Sequence, residues 1–239
     1  MTDKPHRLIT MRAPAVLVVA VLGLGATVGC GGPGNRFVPD APAEQLDPLR
    51  LRTDLKEMAE ANLRLRRRLA RATDPHTRSD LADRLEQLEY RQSQRLERIF
   101  ELLDGRWPSV DLVGAEASRA ALIVAQHIDS YRGVQRRALR LLKKAVRNEK
   151  APRSWVAFLT DRVRLSGGHP QLYGTQVNID GGEVVPRPIV DPETLDERRM
   201  EMGLDPMDQY LNRVRDQYGL ADPGAGTSDD PSPRSVEGR

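Results

Sequence analysis

Residues 114–129 read "GAEASRAALIVAQHID". From Ala120 to Ile128 the run is apolar on nearly every side. A helix with no polar face has nowhere to lie except the centre of a helical fold, and this segment is therefore expected to be the buried central helix. Polar residues gather at its end: Gln126, His127 and Asp129. Buried polar groups need partners, so this end predicts either a tied structural junction or a site.

Helical patterns lie on both sides of it. Toward the N-terminus, Leu51, Leu55, Met58, Asn62, Leu65 and Leu69 repeat at alternating spacings of four and three, a heptad seam with Asn62 as a polar break. "DPHTRSD" (74–80) interrupts it, with Thr77 and Asp80 fitting a capping box for a second helix. That helix carries Leu81, Leu85, Leu88, Gln92, Leu96, Ile99 and Leu103 and stops near Gly105. Two long helices with a short link should form an antiparallel, coiled-coil-like hairpin over 47–104. Arg66-Arg67-Arg68 is the one basic run. It reads as a solvated helix face, with anionic lipid headgroups as the second reading.

Toward the C-terminus, 131–150 is an amphipathic basic helix. Another starts at Pro152, with Trp155, Phe158, Leu159 and Val163 inward, and ends at Ser166-Gly167-Gly168. Residues 176–180 and 183–185, split by Gly181-Gly182, read as a short β-hairpin whose second strand is held to an edge by Pro186 and Pro188. Asp191-Pro192 and Asp205-Pro206 each open a further helix, stopping at Gly203 and Tyr218. The expected fold class is mainly α, an N-terminal helical hairpin followed by a small helical domain with a short β-hairpin (105–218). That second region holds enough apolar residues for a core of its own.

The chain of 239 residues is 30% charged and 39% hydrophobic, with only 4% aromatics. A formal charge of +3 over so many ionic groups is a mixed surface and argues against a nucleic-acid partner. Residues 13–28, "APAVLVVAVLGLGATV", are uncharged and follow Lys4, Arg7 and Arg12. Sixteen residues at ~1.5 Å each fall short of a ~30 Å hydrocarbon layer and suit a secretory signal (1–29). Met11 begins an equally complete signal. Cys30, the only cysteine, follows "TVG" and precedes "GGPG", an arrangement that resembles a bacterial lipoprotein signal. Thr27 stands where that motif usually has leucine. The expectation is lipidation at Cys30, attachment to an envelope membrane, a Gly/Pro-rich tether over 30–46 and a disordered tail over 219–239. No disulfide or cysteine metal site then remains.

"WPSVDLVG" (107–114), Ala125-Gln126-His127-Ile128-Asp129 with Gln135, "LTDRV" (159–163), "QLYGTQ" (171–176), "RPIVDPE" (187–193), "ERR" (197–199) and "GLDPMDQYL" (203–211) occur in order. Together they resemble the bacterial domain-of-unknown-function family 6624, over about Trp107 to Val214. The resemblance supplies no reaction. It implies that these polar residues belong together.

From the residues themselves, His127, Asp129, Asp161 and Arg162 are the candidates for chemistry, with His127 a general base oriented by Asp129 or Asp161. Asp129, two residues along the same helix, points to another face. Gln126, Gln135, Gln171, Tyr173 and Gln176 are the candidates for holding a ligand. QLYGTQ is expected to fold back over the end of the 114–129 helix, with Gly174 permitting a turn or close approach and the Tyr173 hydroxyl finding a polar partner. His127, Asp129 and His169 match no metal-ligand spacing, and no nucleophile motif or phosphate loop is present; no metal or cofactor is expected. Two function classes stay open. One is a domain binding or transforming a small polar ligand around His127 and QLYGTQ. The other is a structural lipoprotein that acts through its helical hairpin, by a protein partner or self-association.

Overall fold

The structure, a computed structural model, describes residues 47–180 and 182–220, with the backbone of a two-residue strand at Val18–Val19. The rest of the expected signal, Cys30, the tether and the tail beyond Leu220 lie outside the described residues.

Helix α1 (Pro48–Arg71) begins at Asp47, whose carboxylate accepts from the Leu49 amide at 2.9 Å, with proline at the first helical position. It gives way at Ala72, and α2 (Pro75–Leu102) starts almost at once. The cap of α2 is Asp74, which accepts from the Thr77 amide at 2.7 Å. The capping box expected at Thr77 and Asp80 is thus displaced by three residues. Pro75 is preset for a first helical turn, and it disfavours helical geometry at the residue before it. The link shrinks to three residues, and α1 and α2 form the expected antiparallel hairpin.

The two polar breaks in the seams meet: the Asn62 amide donates to the Gln92 carbonyl oxygen at 2.9 Å, both buried. The buried positions of α1 are Leu51, Leu55, Ala59 and Asn62, with Met58, Leu65 and Leu69 half-buried. This departs from a strict heptad because α1 packs on two helices, α2 and α3 (Val110–Gln126).

Helix α3 is the centre. Every residue from Ala120 to Ile128 is buried. Its first turn is offset from the rest at Gly114, whose φ of 80° and ψ of 163° are outside helical space. Helices α4 (Arg132–Arg147) and α5 (Arg153–Ser166) complete the bundle around it. One apolar core takes Leu51, Leu55 and Ala59 from α1, Leu96, Ile99 and Phe100 from α2, most of α3, and Leu142 and Leu159 from α4 and α5. The core therefore runs straight across the boundary expected at 104/105. Each hairpin helix alone is amphipathic, and α3 is the apolar surface that both cover. Lys56–Glu116 at 2.9 Å and the Arg95–Asp54 and Arg137–Glu97 pairs stitch the rim.

Strands β2 (Val177–Asp180) and β3 (Glu183–Pro186) form an antiparallel hairpin, with Val177 opposite Pro186 and Asp180 opposite Glu183. The two-residue β1 (Val18–Val19) pairs antiparallel with β2, leaving β3, with its proline, as an edge. After the 3-10 turn Pro192–Thr194 come α6 (Leu195–Glu201) and α7 (Met207–Tyr218). A second, small core joins Val177 and Val184 of the sheet to Tyr210 and Val214 of α7. The segment 171–176 lies between the two cores.

Candidate functional site

The buried carboxylate of Asp161, on α5, organises QLYGTQ. It accepts from the amides of Leu172 at 2.7 Å, Tyr173 at 3.1 Å and Thr175 at 3.0 Å, and from the Thr175 hydroxyl at 2.9 Å. Burial pushes this carboxyl above the usual range, while the same hydrogen bonds pull it back. Gln171 braces the far side. Its amide donates to the carbonyls of Gln176 at 2.9 Å and Arg187 at 2.8 Å, and its oxygen accepts from the Gln176 amide. The Arg199 guanidinium closes on the Tyr173 carbonyl at 2.5 Å, and the Tyr210 hydroxyl donates to the Thr175 carbonyl at 2.6 Å. Gly174 holds φ +64°, and a Cβ there would meet the Met207 sulfur at 3.0 Å and the Ile189 Cδ1 at 3.2 Å.

The loop is consequently a knot of backbone satisfied by side chains. Gln171, Thr175, Gln176 and Asp161 are each fully buried. The expected partner for the Tyr173 hydroxyl does not form among the described residues; the residue is held by its amide and carbonyl instead.

A second arrangement grows from this scaffold. Gln176 donates to the Thr175 hydroxyl at 3.1 Å, and its oxygen meets the Arg162 Nη1 at 3.4 Å. Arg162 also donates through Nε to Asp129 Oδ1 at 2.8 Å and to the Gln126 carbonyl at 3.0 Å, and its Nη2 meets Asp129 Oδ2. The two-point Arg162–Asp129 contact fixes both side chains. Gln135 donates to Asp129 Oδ1 at 3.2 Å and to the Ala125 carbonyl at 3.1 Å, and receives the Ser166 hydroxyl at 2.9 Å. The chain Asp161–Thr175–Gln176–Arg162–Asp129–Gln135–Ser166 is thus continuous. Its inner end is sealed, whereas its outer end opens on a cavity of ≈ 450 Å³ lined by Asp129, Ser130, Arg132, Arg162, Leu165 and Ser166. At that wall the Arg162 side chain is 5% exposed and the Asp129 carboxylate 37%.

His127 is buried and does not line this cavity. Neither Asp129 nor Asp161 bonds to it: Asp129 is held by Arg162 and Gln135, and Asp161 by the QLYGTQ loop, so the expected base–orienter pairing is absent. Its carbonyl accepts from Arg66 at 3.0 Å, and its buried Nδ1 has no hydrogen-bond partner. Burial, with Arg66 and Arg162 nearby, holds the imidazole well below the ordinary histidine range. The Gln126 side-chain amide is likewise buried with neither end paired. His169 is exposed, and among the described residues no three His, Cys, Asp or Glu side chains cluster as metal ligands.

Arg66 and Glu89 were not expected here. Arg66 is not part of a solvated face. It is half-buried, pairs with Glu89 at 2.5 Å and touches the end of α3. The signal in the sequence is Asn62, one turn before it, whose oxygen receives the Arg66 Nε at 2.9 Å. Ser130, Arg132 and Ser166 carried no signal; they reach the cavity through the packing of α4 on α5.

Glu89 gives a pH signature. Burial, opposed by Arg66, pushes its carboxyl up to about 7. A carboxyl raised in the folded state contributes stability that is complete below about pH 4.5 and lost as pH rises through about 7. The lowered His127 acts oppositely, since its contribution is present above about pH 6.5 and lost on acidification. In Glu89→Gln the first effect disappears. Melts from pH 5 to pH 8 should then show stability falling steadily toward acid, by on the order of 1–3 kcal/mol relative to wild type. Parallel curves for the two proteins would mean that Glu89 is ionised throughout.

No curated protein and no solved structure is significantly similar to this chain. The match to a family model covers residues 49–222, and it takes in the helical hairpin as well as the motifs from Trp107 onward. By that match, across both cores and the whole hydrogen-bonded chain just described, the protein belongs to the family of unknown function DUF6624.

Proposed function

We propose that this is a bacterial envelope protein, tethered by lipid at Cys30, whose α-rich domain binds a small polar ligand with an anionic group in the cavity beside Asp129 and Arg162. The observation that carries this reading is the contrast along one hydrogen-bonded chain. Its QLYGTQ end is closed on itself, and its Asp129 end is presented at an open wall. The cavity lining carries Arg132 and Arg162 against Asp129, which favours an anion. Ser130 and Ser166 supply hydroxyls, and Leu165 a small apolar surface. Binding is favoured over catalysis because the candidate base His127 is only 6% exposed and does not line the cavity.

The test is calorimetry with acidic amino acids, short peptides and acidic sugars. Members of this panel should bind wild type and lose at least tenfold in affinity to Arg132→Gln. That residue is exposed at the cavity mouth and holds nothing else in place. A panel without binders, or binders indifferent to Arg132→Gln, would remove the reading.

A further inference from the structure

The hairpin carries a second concavity, with a different lining. Between α1 and α2 runs a groove of ≈ 380 Å³ with Arg64 and Arg68 on one wall and Arg84 and Arg91 on the other. Leu65 and Leu88, both half-buried, form its floor. The placement follows from helical spacing: residues 64 and 68 are one turn apart, and 84 and 91 two turns, so each pair shares a face.

All four arginines are exposed. Arg64 pairs with Glu60 at 3.0 Å across a solvated turn. Arg68, Arg84 and Arg91 have no ion-pair partner among the described residues. Such a concentration of like charge costs some stability and contributes nothing to the core. Each guanidinium presents a planar fork that matches phosphate oxygens, and its stem can lie along apolar surface.

We propose that this groove docks on anionic phospholipid headgroups, laying the α1–α2 hairpin along the membrane. Charge complementarity selects the occupant: arginine forks for phosphates, and the leucine floor for the upper part of the acyl region. The chain length agrees. Sixteen residues (31–46) separate the expected lipid anchor from α1, and a flexible linker of that length would span ~22 Å. Arg64 and Arg68 lie ~24–30 Å along α1 from its start. An anchored chain can therefore bring the groove onto the same bilayer. Near an anionic leaflet each arginine adds to the attraction, so four make a strong local preference.

The experiment is co-sedimentation of the full chain with vesicles of phosphatidylcholine alone, or with phosphatidylglycerol added. The neutral vesicles account for any contribution of the apolar N-terminal segment. Wild type should prefer the anionic vesicles at least tenfold, and salt should weaken the preference. The variant carrying Arg64→Gln, Arg68→Gln, Arg84→Gln and Arg91→Gln should lose it, and each pair alone should give an intermediate value. A matched removal of charge from the exposed face of α4, by Arg136→Gln, Arg140→Gln, Lys143→Gln and Arg147→Gln, should leave it intact. Equal loss in both quadruple variants would reduce the effect to overall charge and overturn the proposal. So would the absence of any preference in wild type, or a wild-type dimer that dissociates when the groove is neutralised.

Discussion

A chain lacking residues 47–103 is expected to stay unfolded, with no cooperative thermal transition. The hairpin contributes Leu51, Leu55, Ala59, Leu96, Ile99, Phe100 and Leu103 to the shared core. Six of these side chains are large, and burying each stabilises by about 1.5–3 kcal/mol, so their removal costs roughly 10 kcal/mol or more. That is of the order of the entire stability of a domain this size, about 5–15 kcal/mol. It would also expose the apolar run Ala120–Ala125 of α3. Circular dichroism melts of the truncated and intact chains provide the comparison. A sharp transition in the truncated chain would show that residues 105–218 form an independent domain after all.

Asp161→Ala is the point substitution with the largest expected cost, about 4 kcal/mol. It removes the common acceptor of three amides and a hydroxyl, the two donors of Thr175 being fully buried. Each buried donor left unpaired costs ~1–3 kcal/mol, offset in part by relaxation of the loop. Thr175→Ala, which removes one of the four donors, should cost nearer 1 kcal/mol. Urea unfolding with unchanged slope would measure both. Near-equal values would mean that the carboxylate is not the hub of the loop.

The run from Ala120 to Ile128 has no polar face, and local pattern alone places it at the centre. Pro48 and Pro75 begin α1 and α2, because such signals act within a few residues, whereas Pro192 opens a 3-10 turn three residues before α6 and Pro206 stands one residue before α7. The shared core was hidden, since an amphipathic helix does not declare which neighbour covers it. The seam of α1 reads as a coiled coil until α3, some sixty residues later, takes half of it.

The candidate site was legible as a set and not as a geometry. Gln126, Asp129, Gln135, Asp161, Arg162, Gln171 and Gln176 do converge, as the resemblance implied. Their roles divide by burial, which composition cannot give. Asp161 and Gln171 serve the loop, Asp129 and Arg162 face the cavity, and Gln176 joins the two. Arg66 looked like part of a solvated triplet because its neighbours Arg67 and Arg68 are exposed. Only its position one turn after the buried Asn62 separates it from them.

The division between scaffold and site is tested most directly by amide-resolved NMR of the protein titrated with the same panel of acidic amino acids, peptides and sugars. Binding at the proposed cavity should shift amides of 129–132 and 162–166 while those of 171–176, locked around Asp161, stay nearly still. Shifts centred on 171–176, or an undisturbed Asp129–Arg162 wall in the presence of a binder, would contradict the assignment of the ligand to that cavity.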